Sequence, residues 1–328
     1  MKNLLVFLVA MFILSFAVFF IASYAPGDPL QSFYGERVEQ MSAEEHEAAR
    51  HRLGLDGPVY VQYGHWLANA ATGDFGLSFK YKEPAIDVIQ AFIGNTLLLG
   101  GVSYLLVFLL ATVLALCCAM YEGTKIDRAI AHVGTILYYL PGFWIGLVLL
   151  LIFNVNLGWL PGSGAYSPGH AGDILDRLEH IILPVIVMII GHLWYYTYMI
   201  RNKLVEEARQ DYVLLAKTKG LTRMQVAVRH CLKNTAPTIV SIMAISVNHI
   251  LGGTYVVEAV FSYPGLGKLA IDSAKYHDYN LLMLIVLLTG AFIIFSGLLA
   301  QTINAWIDPR LKVKGGGTSW TIRQLFGR

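Results

Sequence analysis

Apolar residues fall along this chain in six long runs set apart by polar punctuation. They cover about Leu4–Tyr24, Asn95–Met120, Ala129–Phe153, His180–Ile200, Thr238–Phe261 and Leu281–Ile307. Each has the ~20 residues that a helix needs to cross a hydrocarbon layer about 30 Å thick. An open sheet cannot do this, because its edge amides would be unpaired in lipid. The pattern therefore predicts an all-α polytopic membrane protein with six transmembrane helices. The first run is too long for the core of a signal peptide, and no A-x-A-like site follows it, so it reads as an uncleaved helix. The punctuation divides the chain into a first helix (1–26), a polar cap segment (27–94), a membrane domain (95–310) and a tail (311–328).

Within the cap segment, Ser42 followed three residues later by Glu45 reads as a capping box opening a short helix. "GDFGLSF" and "KYKEP" read as turns with a short strand. "NLGWLPGSGAYSPGHAGD" between the third and fourth runs is a Gly/Pro/Ser loop, and "APGDPL" after the first run is a turn.

The one basic stretch among the spans is "DYVLLAKTKGLTRMQVAVRHCLKN", Asp211–Asn234. The fourth helix is expected to continue out of the membrane as far as Thr218. Gly220 then fits the residue just past a helix end, where a positive φ costs a glycine nothing. Thr222 with Gln225 repeats the capping-box pattern and opens a second short helix. Leu221, Met224 and Val228 fall on one apolar stripe, with Arg223 and Arg229 pointing elsewhere. Pro237 is expected to break the helix before the fifth span. The result is an elbow of two short helices lying parallel to the membrane, either as an interfacial anchor on lipid headgroups or as a docking surface for a partner.

Charge sets the orientation. With the amino terminus inside, sixteen Lys and Arg residues fall on the inner segments and eight on the outer ones. That bias puts both termini in the cytoplasm and the cap outside. Only 14% of the 328 residues are charged, against roughly 25% for a soluble domain, and the net charge of +2 gives no footprint for nucleic acid. Cys117, Cys118 and Cys231 suggest reduced thiols rather than a disulfide framework.

Ionisable or amide side chains within spans are costly and mark function or interhelical bonding. Here they include His132, His192, Asn248, His249 and Glu258. His132 and His192 read as packing residues. Asn248, His249 and Glu258 are candidates for a solute pathway or gate, Glu258 standing near the outer end of its span and partly in water. No metal-ligand spacing is present. "FSYPGLGKLA" falls short of a phosphate-binding loop, since Ser262 replaces the first glycine and Leu269 follows Lys268. Gly265, Gly267 and Lys268 read instead as an external turn. "YYLPGFW" (Tyr138–Trp144) reads as a proline kink with aromatics packed around it.

Ala216-x-x-x-Gly220 followed by "RHCLKNTAP" resembles the EAA loop of ABC importer permeases, with Leu214 and Leu215 in place of the loop's namesake Glu and first Ala. "APGDPL", "YGHWLANAATGDFGLSF", "LPGFWIGLVLLLIFNVNLGWLPGSG", "FSYPGLGKLAIDSAKYHDY" and "NAWIDPRLK" resemble the same family's dipeptide, oligopeptide and nickel branch. The likeness runs from about residue 4 to 314. It implies a type I ABC importer fold and a bacterial inner-membrane transport subunit that is not itself an enzyme. It also implies a homologous second permease, two ATP-binding subunits holding ATP and Mg, and an extracytoplasmic substrate-binding protein, with no cofactor in this chain. The loop 211–237 would then be the coupling element seated on an ATPase subunit, through Ala216, Lys219, Gly220, Leu221, Thr222, Met224, Val228 and Arg229. The alternative on physical grounds is an ion-coupled transporter or channel, which would place acids at mid-membrane and show inverted repeats.

Overall fold

A computed structural model describes residues 2–25 and 27–307. The tail 311–328, and the basic residues from Arg310 onward that enter the orientation count, lie outside the described residues. The described chain is helical, with a single isolated β-bridge, Leu77 to Pro84, where the sequence suggested a short strand.

Helix α1 spans Lys2–Ser23. The cap segment folds as α2 (Pro29–Tyr34), a 3-10 turn (Gly35–Gln40), α3 (Ala43–Arg52) and α4 (Val59–Ala71). Asp28 accepts Leu30 N–H to cap α2, and Ser42 with Glu45 forms the expected capping box on α3. Then follow α5 (Ala85–Met120), α6 (Lys125–Tyr138), and α7 (Gly142–Leu149), which runs into a π-helical turn, Leu150–Asn156. After the Gly/Pro/Ser loop come α8 (Ile174–Ala208), α9 (Asp211–Thr218) and α10 (Arg223–Val226). A π-helical turn, Ala227–Leu232, leads into α11 (Lys233–Val260), followed by α12 (Leu266–Lys275) and α13 (Tyr279–Ile307).

Among the described residues three helical stretches are long and apolar enough to cross a membrane: Ala85–Met120, Arg223–Val260 and Tyr279–Leu299. α6 with α7 makes a fourth if the broken pair counts as one span. The break falls at the expected proline, Pro141. The apolar part of α1, Phe7–Ser23, is shorter. α8 carries charged residues in both end turns, which shortens its apolar centre.

Three local expectations are corrected. Pro237 does not break the chain, because one helical stretch runs from Arg223 to Val260. A π-helical turn just before a proline is the kind of local adjustment by which membrane helices absorb the lost hydrogen bond. The fourth helix does not continue to Thr218; it ends at Ala208, and α9 is a separate helix. Gly267 and Lys268 lie in the first turn of α12 rather than in a turn, with Gly265 at its N-cap.

The chain packs as two compact units. The first takes in the chain up to Leu105, then Leu140–Gly191 and Ile250–Ile294. Its core has three clusters. Phe19, Tyr63, Trp66 and Met283 join α1 to the cap, with Ser15 Oγ and Tyr63 Oη 2.8 Å apart. Leu30, Ala49, Leu55 and Phe79 of the cap pack with Ala22 of α1 and Tyr279 of α13, and Val88, Ile89, Leu269, Leu281 and Ile285 pack α5, α12 and α13. Asp278 is fully buried and ties cap to α13: it accepts Ser78 Oγ at 2.5 Å, Lys80 N–H at 3.1 Å and Leu281 N–H at 3.3 Å. The second unit holds Leu106–Tyr139, His192–His249 and the described residues from Phe295. There Arg201 grips Asp127 with two bonds, Nε at 2.9 Å and Nη2 at 2.6 Å, while Gly123 N–H gives Asp127 a third at 3.0 Å. A side chain at Gly134 would meet Trp194 at 2.6 Å, so the glycine lets α6 approach α8 closely.

Candidate functional site

The basic elbow is built as its local signals require. Gly220 adopts φ +83°, a sense that an L side chain resists, and has open space around it. Thr222 Oγ1 accepts Gln225 N–H, and Gln225 returns a bond to Thr222 N–H at 2.9 Å. Tyr212 Oη donates to Glu207 at 2.5 Å and holds α9 against the end of α8. That hydrogen bond stands behind burial as a cause, and together they push the Tyr212 hydroxyl up to about 12.

The predicted elbow residues divide into two sets. Ala216 is buried, and with Val213 it forms the inward face of α9. Lys219, Gly220, Thr222 and Arg229 are exposed and Leu221 is half-buried. Met224 (58% exposed) and Val228 (43%) stand in the open, joined by Leu214 (64%) and Leu215 (56%), which sequence reasoning noted only as departures from a motif. The elbow thus presents apolar side chains among cations on its outer side and packs small and branched ones within.

The span candidates also find partners. Asn248 Oδ1 accepts from Ser296 Oγ at 2.8 Å. His249 Nδ1 lies 3.0 Å from Tyr196 Oη, with the buried His192 ring 5.0 Å away. His132 is exposed and bonds the Arg128 carbonyl through Nδ1 at 2.6 Å.

Glu258 was expected to stand partly in water. It is fully buried. Its carboxylate accepts Thr96 Oγ1 at 2.7 Å, Gly267 N–H at 2.6 Å and Lys268 N–H at 3.2 Å. Thr96 Oγ1 in turn accepts Leu266 N–H at 2.7 Å. The first three amides of α12, which no intrahelical carbonyl can satisfy, are thus capped by side chains from α5 and α11. The glycines of "PGLG" permit this approach: a side chain at Gly265 would collide with the Glu258 carboxylate, and one at Gly267 with the Tyr255 backbone. Thr96 carries no sequence signal for this role. Its contacts lie far off in sequence, and a threonine in an apolar run is unremarkable.

Comparison with known proteins decides the family. Residues 111–313 match the binding-protein-dependent transport system inner membrane component, and residues 1–100 match the N-terminal part of that component. The chain belongs to this family. The permease is 34% identical over 295 residues to the oligopeptide transport system permease protein AppB of Bacillus subtilis, covering 90% of this chain and 92% of that one. It is 31% identical over 313 residues to the glutathione transport system permease protein GsiC of Escherichia coli K12, covering 95% and 98%. A solved chain of the MetNI methionine ABC transporter in an inward-facing form shares the fold with TM-score 0.57 at 15% identity, covering 68% of this chain and 97% of that one. The permease is therefore a multi-pass inner-membrane transport component of ABC importers, of the peptide type, and the ion-coupled alternative falls away.

Proposed function

We propose that this permease is one of two homologous transmembrane subunits of an importer for short peptides, with both termini in the cytoplasm and six spans. Two separate ATP-binding subunits would hold ATP and Mg, and an extracytoplasmic protein would deliver the solute. Relatives named for oligopeptide and glutathione transport support the substrate class. Asn248 and His249, polar groups within an apolar helix, are assigned to the pathway; Glu258, committed to capping α12, is assigned to holding the fold.

In this reading α9, Gly220 and α10 are the coupling element. One observation carries it: Leu214, Leu215, Met224 and Val228 are exposed together on the elbow while Ala216 and Val213 anchor it from within. Exposed apolar residues interspersed along the chain with Lys217, Lys219, Arg223 and Arg229 suit a protein groove, where a buried centre supplies affinity and rim charges steer. The one continuous helix from Arg223 to Val260 gives the elbow a stiff lever into the membrane. A push on the elbow would move the helix that carries Asn248 and His249.

The test is copurification of the ATPase subunits with Leu215→Glu, Met224→Glu and Gly220→Pro variants, alongside ATP-driven peptide uptake in proteoliposomes. A charge in a buried interface centre costs ~2 kcal/mol or more, so ATPase recovery and uptake are expected to fall together. Full assembly and uptake by all three variants would overturn the coupling assignment.

A further inference from the structure

Arg177, in the first turns of α8, is half-buried and has no carboxylate within ion-pair distance among the described residues. It is nonetheless held in place. Nη2 donates to Asn95 Oδ1 at 3.0 Å, and the guanidinium lies 5.4 Å from the Tyr166 ring centre. Asn95 is fixed in turn, because its Nδ2 donates to the Pro264 carbonyl at 2.9 Å. Two polar atoms beside this cluster are buried and unsatisfied: Nε of Arg177 and the hydroxyl of Tyr263, a residue with no exposed surface. The hydroxyl sits next to the guanidinium, within reach of its charge and its N–H groups, and meets no partner in full hydrogen-bond geometry among the described residues.

The neighbouring acids are engaged elsewhere. Asp173 accepts Leu175 N–H at 2.9 Å, Asp176 accepts Ser167 N–H at 2.7 Å, and Glu258 is spent on Thr96 and α12. A cation taken partly out of water, steered by an amide and an aromatic face and left without its counter-charge, is unfavourable unless an anion completes it. A guanidinium fork beside a hydroxyl donor matches the two oxygens of a carboxylate.

We propose that Arg177 and Tyr263 bind a carboxylate of the transported solute on the extracytoplasmic side, with Asn95 and Tyr166 as positioning residues; the C-terminal carboxylate of a short peptide is the group that fits. The inference rests on the peptide-import reading above for its ligand and on the same orientation for its side of the membrane.

The assembled importer, reconstituted in phosphatidylcholine vesicles with and without phosphatidylglycerol, is given dialanine or dialanine amide. Loss of charge-assisted hydrogen bonds is worth ~10- to 100-fold in affinity. Arg177→Gln is therefore expected to raise KM for dialanine by that factor with little change in kcat, and to leave KM for the amide unchanged. Tyr263→Phe should act in the same direction by a few-fold. An equal effect on both peptides, no effect on either, or an effect that follows phosphatidylglycerol content rather than the peptide's carboxylate would overturn the assignment, the last in favour of a lipid phosphate. If the wild-type importer takes up neither peptide, the peptide reading fails by itself. The site is then decided on the unmutated complex, through protection of Arg177 from phenylglyoxal by acetate. Protection is expected, and modification at the same rate with and without acetate would overturn the site.

Discussion

Thr96 Oγ1 donates to the Glu258 carboxylate at 2.7 Å and accepts Leu266 N–H at the same distance, so one hydroxyl joins three helices. Removing it leaves a buried N–H and a buried carboxylate each short of a partner, at a cost of about 1–3 kcal/mol. Thr96→Val is expected to lower the thermal unfolding temperature of the purified permease, and Thr96→Ser to restore most of the loss. Glu258→Ala, which orphans two amides, should cost more than Thr96→Val; the reverse order would mean that the carboxylate is not the principal cap.

The two glycines of the same turn should differ in tolerance. At Gly265 an added methyl meets a carboxylate side chain, which can shift at the expense of its hydrogen bonds; at Gly267 it meets the Tyr255 backbone, which cannot. Gly267→Ala is therefore expected to destabilise more than Gly265→Ala, in the 1–3 kcal/mol range of overpacked sites. Thermal unfolding of the two variants side by side checks the order.

Asp127 and Arg201 form a bidentate pair in which the aspartate side chain is 7% exposed and the arginine 20%. Breaking such a pair from one side strands a charge, at about 3–5 kcal/mol for a buried case, whereas removing both partners costs less than the sum. A double-mutant cycle with Asp127→Ala and Arg201→Ala, read by unfolding temperature, should show strong coupling. Additive losses would show that the pair is incidental.

Asp272 gives a pH dependence. Burial alone would raise its carboxyl, but hydrogen bonds and charge from Lys268 (3.0 Å) and Lys80 (3.5 Å) outweigh that and hold it below its ordinary 3.8. A carboxylate lowered on folding contributes stability above its unfolded value and loses it as the pH falls through the folded one. Protease cleavage within α12 is therefore expected to accelerate below about pH 4. Asp272→Asn should cleave faster than wild type at neutral pH and lose the acid step. A variant with an unchanged pH profile would show that the lysines do not act through this group.

The features legible in the sequence are those set by neighbours a few residues away. Gly220, the Thr222–Gln225 box, the Ser42–Glu45 box and the break at Pro141 each rest on local backbone requirements, and the structure carries all four. Pro237 misleads because its local penalty is absorbed by a π-helical turn that no propensity announces. The caps made across the fold could not be read at all. Thr96 reaches Glu258 across 162 positions and Ser78 reaches Asp278 across 200, and each residue type alone is compatible with many other roles. Glu258 looked half-wet because a lone acid near the end of a span normally is. Only the arrival of helix α12 over it makes burial tolerable.

Nothing lies within 4 Å of where a side chain at Gly220 would begin. The position therefore discriminates by chirality and not by volume. A D-alanine placed there by semisynthesis would sit in its own preferred basin, while its L-enantiomer, atom for atom the same size, would pay the left-handed penalty of about 1–2 kcal/mol. The elbow's geometry is thus encoded in the mirror sense of a single residue, a property that cavity filling or repacking around it would leave untouched.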